Sequence, residues 1–306
     1  MLTQELTRCV NVLVKGQPRI VIWASNVKQP NWINEPMTLH EALLKAHYRK
    51  ITLSNFFSQC LQSTCSNEEL WTLKDFLVPF RPPNYLQAMV SGFGNTKKQD
   101  STIEVQQHTS PVEWFFKGNG TTLKTHLEPI INSQNALSLS EEAEMVIIYW
   151  VTPSGEIKRL GYTLGNDVSD HKMTHENKSL LGYSKLRDSC VHTEIILGNP
   201  ASEIDISVKI SRANKKLWWE SMKTGCNYLS KSIVDYEEML FSNPQLCVPD
   251  QVHYVFYGAT KSSRDSISSL NPLDSIEIRS KHFFFPLINY VMHANKNSVS
   301  TKVSVI

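Results

Sequence analysis

The sequence predicts an α+β chain that is mainly β, on three observations. Ile204, Ile206, Val208 and Ile210 alternate with polar residues, the period-2 signature of a half-buried strand. The run 144–151 is almost wholly apolar, breaks at Pro153-Ser154-Gly155 and is answered by 157–164, which reads as a hairpin. Helical spacing is confined to a few short stretches, two of them before residue 80.

The first element is another hairpin. Residues 10–14 and 19–23 are β-rich and flank Lys15-Gly16-Gln17-Pro18, a Gly/Pro turn. A helix follows over 39–46 with Thr38 as N-cap. A second is predicted over 67–77, with Ser66 as cap and Glu69 at the capping-box position. The prolines of Pro79-Phe80-Arg81-Pro82-Pro83-Asn84 break helix, and a domain boundary is placed there. Residues 1–80 become a small N-terminal α+β domain and 81–306 a larger one. Beyond the 144–164 hairpin, strand 204–210 turns at Arg212-Ala213-Asn214-Lys215 into Leu217-Trp218-Trp219, a further hairpin. An amphipathic helix is predicted over 228–241, with Leu229, Ile233, Tyr236 and Leu240 along one face. The last strands are 252–257, 275–279 and 283–291.

Composition excludes classes without naming an activity. The chain has 306 residues, 41% of them hydrophobic, and 31 Lys+Arg against 29 Asp+Glu for a formal net charge of +2. It is long enough to bury a large core and too balanced to bind nucleic acid by bulk charge. The longest wholly apolar run, 145–151, is far short of the ~20 residues that span a bilayer. Residues 1–9 carry Glu5 and no apolar signal region. The expectation is a soluble, cytoplasmic protein with no membrane partner. Cys9, Cys60, Cys65, Cys190, Cys226 and Cys247 are scattered without a CxxC pair, which fits isolated reduced thiols rather than a zinc site.

Two stretches carry candidate chemistry. Glu142-Ala143-Glu144 opens a strong strand, and in a strand residues i and i+2 share a face about 6.6–6.8 Å apart. Taken alone, the pair fits either a solvated strand edge, the commoner case, or two ligands of a hard divalent cation. The second stretch runs Gly161-Tyr162-Thr163-Leu164-Gly165-Asn166-Asp167-Val168-Ser169-Asp170-His171. Asp167 becomes a third carboxylate ligand if its strand pairs with that of Glu144; otherwise Asn-Asp is an ordinary polar turn.

These residues, with Glu113-Trp114-Phe115-Phe116-Lys117-Gly118, Ser169-Asp170-His171, Ser184-Lys185-Leu186-Arg187 and Leu217-Trp218, resemble the fumarylacetoacetate hydrolase superfamily over roughly residues 85–290. The nearest branch looks like the sugar-acid one, which includes 2-keto-3-deoxy-arabinonate dehydratases. The resemblance implies a mixed β-roll core behind the small N-terminal domain, and a homodimer. It implies that Glu142, Glu144 and Asp167 bind Mg²⁺ or Mn²⁺ and that Lys185 reaches the same pocket, as an enolate-stabilising cation or a base. Lys117 and Glu113 would shape the pocket floor, with Lys117 toward the substrate. His171 is either a pocket acid/base or a histidine bonded within its own turn.

The implied chemistry is chelation of a small 2-oxo acid and stabilisation of the enolate formed when C3 loses a proton. Expulsion of a β-hydroxyl then gives dehydration of a 2-keto-3-deoxy sugar acid, the favoured reaction, as in sugar-acid catabolism. Release of an enolate from a 1,3-diketone gives acylpyruvate-type C–C hydrolysis, the alternative. Departures from the family pattern bear on this choice. Lys97 stands where the hydrolases have a water-activating histidine, and the segment 99–111, with His108, is short. Gly258-Ala259-Thr260 displaces by one residue the threonine expected to touch the substrate carboxylate. The arginine usual after Asn-Asp is missing. These departures motivate a third reading, a non-catalytic metal-binding scaffold.

Overall fold

The computed structural model describes residues 6–24, 29–97, 113–133, 135–294 and 305; His108 and the segment 99–111 lie outside them, as do residues 1–5. The first half of the chain runs β1 (Leu6–Val14), β2 (Gln17–Ala24), β3 (Asn31–Ile33), α1 (Leu39–Tyr48), α2 (Leu53–Ser58), β4 (Gln62–Thr64), α3 (Asn67–Thr72), β5 (Ala88–Gly94), β6 (Glu113–Asn119), β7 (Leu123–Lys124), β8 (Pro129–Asn132), β9 (Ala143–Val151) and β10 (Ile157–Asn166). There follow α4 (His171–Glu176), α5 (Leu181–Lys185), β11 (Ser189–Val191), β12 (Glu194–Leu197), β13 (Ile204–Arg212), β14 (Lys215–Thr224), α6 (Ile233–Phe241), β15 (Val252–Phe256), β16 (Ser275–Arg279) and β17 (Leu287–His293).

A twelve-stranded sheet runs β4-β3-β2-β1-β12-β10-β9-β15-β5-β6, with β11 and β7 branching from β10, and a five-stranded sheet runs β14-β13-β16-β17-β8. The unbroken apolar run of β9 follows from its place deep in the larger sheet. Met145, Ile147 and Tyr149 pack with Ile206, Val208 and Ile278 of the smaller sheet and with Tyr236 and Leu240 of α6. Val146, Ile148 and Trp150 on the other face join Ala42 of α1, Phe56 and Phe57 of α2, and Phe80. A strand covered on both faces loses the usual alternation. No helix is long and apolar enough to cross a membrane among the described residues.

The N-terminal hairpin forms as predicted and extends the larger sheet, since β1 pairs with β12 through Cys9↔Ile195. Across the chain near residue 80, Asn11 Nδ2 donates to Pro79 O at 2.6 Å. The Tyr254 hydroxyl accepts from Phe80 N at 2.9 Å and donates to Phe80 O at 2.7 Å. Sheet and core thus run through the position where the sequence places a domain boundary.

Two helices and one strand are cut short at one end by four residues or more relative to expectation, each for a tertiary reason. α3 stops at Thr72 rather than 77. Ser66 caps it, but the Glu69 carboxylate accepts the Trp32 indole N–H at 2.9 Å instead of closing a capping box. Residues 73–77 then lie along β1, with Leu77 N donating to Asn11 O at 3.0 Å and Leu13 N to Asp75 O at 2.7 Å. α6 starts at Ile233 rather than 228, because Ser232 and Asp235 form the capping box; Leu229, upstream, instead bridges Lys97. β17 starts at Leu287, after Pro286. Phe283 and Phe285 turn inward beside His192, Phe76 and His126. The short α2 was not predicted; Thr52 caps it and it buries Phe56 and Phe57.

Candidate metal centre

The β9–β10 hairpin assembles three carboxylates by register alone. Gly165 faces Glu144 and Asn166 faces Ala143 across the pair, and one step further Asp167 N donates to Glu142 O at 2.9 Å. Directly opposed residues point to one face, and Glu144 shares that face with Glu142 two positions away. Ligand atoms of Glu142, Glu144 and Asp167 accordingly lie within 4.8 Å of one another. Asn166 holds the turn by accepting the Glu142 backbone N–H at 3.0 Å. Gly165 leaves room: a Cβ there would come within 2.6 Å of Val146 Cγ2 and Phe256 Cε1.

Two lysines face this cluster from different sides. Lys185, the last residue of α5, donates from Nζ to Glu142 Oε2, Asp167 Oδ2 and Ser169 Oγ, each at 2.8 Å, and lies 4.5 Å from the centre of the Phe115 ring. Lys117, fully buried on β6, donates to Val168 O at 2.9 Å and Lys185 O at 3.1 Å, and is ion-paired with Asp167 Oδ1. Its three donors are spoken for, so Lys117 sits behind Asp167 and orients it, without a donor left for a ligand in the cleft. Glu144 accepts Gly258 N–H at 2.6 Å, and Gly258, at φ 76°, sits in a region that glycine adopts without strain.

Electrostatics separate Glu144 from Glu142. Burial and the Asp167 and Glu142 carboxylates push the Glu144 pKa well above the usual range. Burial acts the same way on Glu142, but the Lys185 ammonium and His171 outweigh it and hold that carboxyl below its usual range. Burial disfavours charge on Lys185, and the carboxylates of Asp167, Glu142 and Glu144 overcome it, so its pKa rises. Glu144 is the acid that no lysine touches among the described residues. A compact all-oxygen set with one uncompensated carboxylate suits a hard divalent cation such as Mg²⁺, with ligand distances near 2.0–2.1 Å, or Mn²⁺.

The remaining predicted residues fall around this centre. His171, the first residue of α4, has Nε2 3.3 Å from Glu142 Oε1 and Nδ1 3.5 Å from an Arg264 nitrogen. Asp170 caps α4 and accepts from Leu137 N at 2.7 Å, Ser138 N at 3.1 Å and Arg187 at 3.2 Å, which ties the Ser169-Asp170-His171 and Ser184-Lys185-Leu186-Arg187 stretches together. Thr260 lines a cleft of about 340 Å³ that includes Glu142, but its hydroxyl donates to Lys223 O at 2.7 Å. Glu113 is exposed at the start of β6. Lys97 reaches Thr224 Oγ1 at 3.4 Å; burial lowers its pKa and the Glu144 carboxylate opposes the shift.

Four contributors went unassigned in the sequence. Ser169 Oγ also lies 3.0 Å from Glu142 Oε2, the Gly258 amide braces Glu144, and Phe115 stacks on Lys185. Arg264 meets His171 from a loop anchored when Ser263 N donates to buried Glu141 at 2.7 Å. Ser169, Phe115 and Gly258 lie within quoted stretches; Arg264 comes from a segment nearly a hundred residues away with no local signal.

No protein-family model and no curated protein matches the chain. Solved structures do. "2-keto-3-deoxy-D-arabinonate dehydratase apo form" aligns with 94% of this chain and 100% of its own at 20% identity and a TM-score of 0.70. The same dehydratase complexed with magnesium and 2,5-dioxopentanoate gives 21% identity and 0.69 over the same shares. Fumarylacetoacetate hydrolase from the psychrophilic Exiguobacterium antarcticum gives 14% identity and 0.63, again over 94% and 100%. With sheet order, hairpin register and acidic cluster already described, the chain has the fumarylacetoacetate hydrolase-type fold.

Proposed function

We propose that this chain is a divalent-metal-dependent enzyme acting on a small 2-oxo acid, and that it dehydrates a 2-keto-3-deoxy sugar acid. The observation that carries this reading is the convergence of Glu142, Glu144 and Asp167 on one face beside the Lys185 ammonium. A similar structure's complex with magnesium and 2,5-dioxopentanoate, itself a 2-oxo acid, supports the substrate class. When bound, a divalent cation supplies Lewis-acid stabilisation of charge building on the 2-oxo oxygen.

The chain's own residues do the rest. Glu142, Glu144 and Asp167 hold the cation, and Lys117 fixes Asp167 in place. Lys185, kept as an ammonium with all three donors engaged, adds a second fixed positive charge where the substrate oxygen becomes negative. His171 takes the C3 proton on a ring nitrogen, and that proton leaves with the β-hydroxyl as water. C–C hydrolysis of an acylpyruvate is the second reading, favoured by the fold shared with fumarylacetoacetate hydrolase. A homodimer in the cytoplasm belongs to the same proposal; Trp114 and Phe116 are exposed on β6, at one edge of the larger sheet.

Calorimetry with Mg²⁺ tests the metal set: Glu144→Ala and Asp167→Ala are each expected to abolish binding, and unchanged affinity in both overturns the reading. Mass spectrometry of products from 2-keto-3-deoxy sugar acids and from acylpyruvates separates the two reactions. Turnover that disappears in Lys185→Ala excludes a non-catalytic scaffold.

A further inference from the structure

We infer that the cleft beside the acidic cluster binds a second anionic group, so that the substrate is a 2-oxo acid carrying a carboxylate or phosphate at its far end. This rests on the 2-oxo acid reading above. A cavity of about 570 Å³ opens between α4 and the loop after β15, lined among others by His171, Lys172, His175, Lys178, Arg264 and Asp265. Lys172 and Lys178 are exposed and form no ion pair among the described residues. Asp265, the acid in this lining, is turned to solvent and lies 3.9 Å from Arg264. The lining therefore carries unbalanced positive charge.

The cavity is joined to the carboxylate cluster through one imidazole. His171 touches Glu142 with Nε2 and Arg264 with Nδ1, and Arg264 also lines the smaller cleft that contains Glu142. Its loop is held by Ser263, fully buried, whose backbone N–H and hydroxyl both donate to Glu141. Arg264 lines both the cleft that contains Glu142 and the cavity that holds Lys172 and Lys178, so a substrate with its 2-oxo end at Glu142 extends past Arg264 toward the two lysines. Guanidinium and ammonium groups recognise carboxylate and phosphate through charge-assisted hydrogen bonds, and an uncharged polyol tail would leave these cations unpaired. A sugar acid ending in a carboxylate or phosphate ester satisfies both ends.

Calorimetry on the Mg²⁺-loaded full chain compares 2-oxovalerate with 2-oxoadipate, of similar reach but with a terminal carboxylate on the second. A phosphate-terminated 2-keto-3-deoxy sugar acid forms the third arm, and the tighter of the two anion-tailed acids identifies the anion type. The anion-tailed acids are expected to bind about tenfold tighter than 2-oxovalerate, with the advantage lost in Lys172→Ala/Lys178→Ala and kept in Lys172→Arg/Lys178→Arg. Equal affinities in the unaltered protein, or an advantage that persists in the alanine pair, overturns the inference. If Mg²⁺ binds but none of the acids does, the 2-oxo acid reading itself fails and takes this inference with it.

Discussion

Asp167 shows how much one side chain is asked to do. Its Oδ2 accepts from Lys185 and its Oδ1 faces Lys117, both in the interior, so each lysine offsets a buried negative charge. Removing one partner of a buried pair costs about 3–5 kcal/mol because the other charge stays behind. Lys117→Met is expected to lose stability in that range in urea unfolding, and a loss below about 1 kcal/mol would contradict the orienting role given to Lys117. At this scale the sequence is legible where chemistry is local. Glu142, Glu144, Asp167 and Lys185 stand in recognisable motifs. The Gly258 amide and Arg264 are not legible, because each acts through a contact made by the folded chain between distant segments.

Among the elements, the β9–β10 hairpin is the one that turns sequence into a site. Its strands can be read from apolar runs and a Pro-Ser-Gly turn, and the pairing of the Asp167 strand with that of Glu144 is the condition for a third ligand. The register contains one irregularity, at Leu160, between the pairs Arg159↔Tyr149 and Gly161↔Ile148. Beyond it Gly165 lies opposite Glu144. Gly165→Ala forces a methyl against Val146, Phe256 and the Cys190 carbonyl, at 2.6–2.8 Å. Overpacking of this kind costs about 1–3 kcal/mol, so a lowered melting temperature and weaker Mg²⁺ binding are expected together; a variant with both unchanged would show that the space is not needed. The helix limits were less legible than the strands. Periodicity continued past Thr72 and before Ile233, and in both places another strand or bridge claimed the backbone.

The whole molecule is two sheets sharing a core, and its stability carries a pH signature. His192 is fully buried. Its Nδ1 accepts Glu194 N–H at 3.0 Å, so Nε2 carries the proton and donates to Phe285 O at 2.6 Å. Burial pulls its pKa down to about 3, and that of His126 to about 4, against about 6.5 in an unfolded chain. Below about pH 6.5 the unfolded chain takes up protons that the native protein refuses, so this part of the stability falls as pH drops toward 3. Glu194 works the other way: burial, opposed by Arg8, raises it to about 7, which favours the native state as pH falls from 7 toward about 4.5. The His192 part is isolated by comparison. Between pH 7.5 and 5 the urea midpoint of His192→Gln should fall less than that of the unaltered chain, and identical slopes would contradict the assignment. The broad architecture was readable from alternation and apolar runs. The joining of β1 to β12 was not, because no local signal specifies which edge a hairpin joins.

Because Glu142, Glu144 and Asp167 are brought together by a single hairpin, the acidic cluster can assemble early in folding. Hairpins close in about 1–10 μs, while Lys117 and the Gly258 amide reach the cluster only after segments remote in sequence have docked, and Lys185 follows from a segment 18 residues beyond Asp167. Until Lys185 arrives the hairpin must bring three like charges together with no counter-charge from the chain. Closing this acidic end therefore works against like-charge repulsion, and a cation from solution would lower that cost.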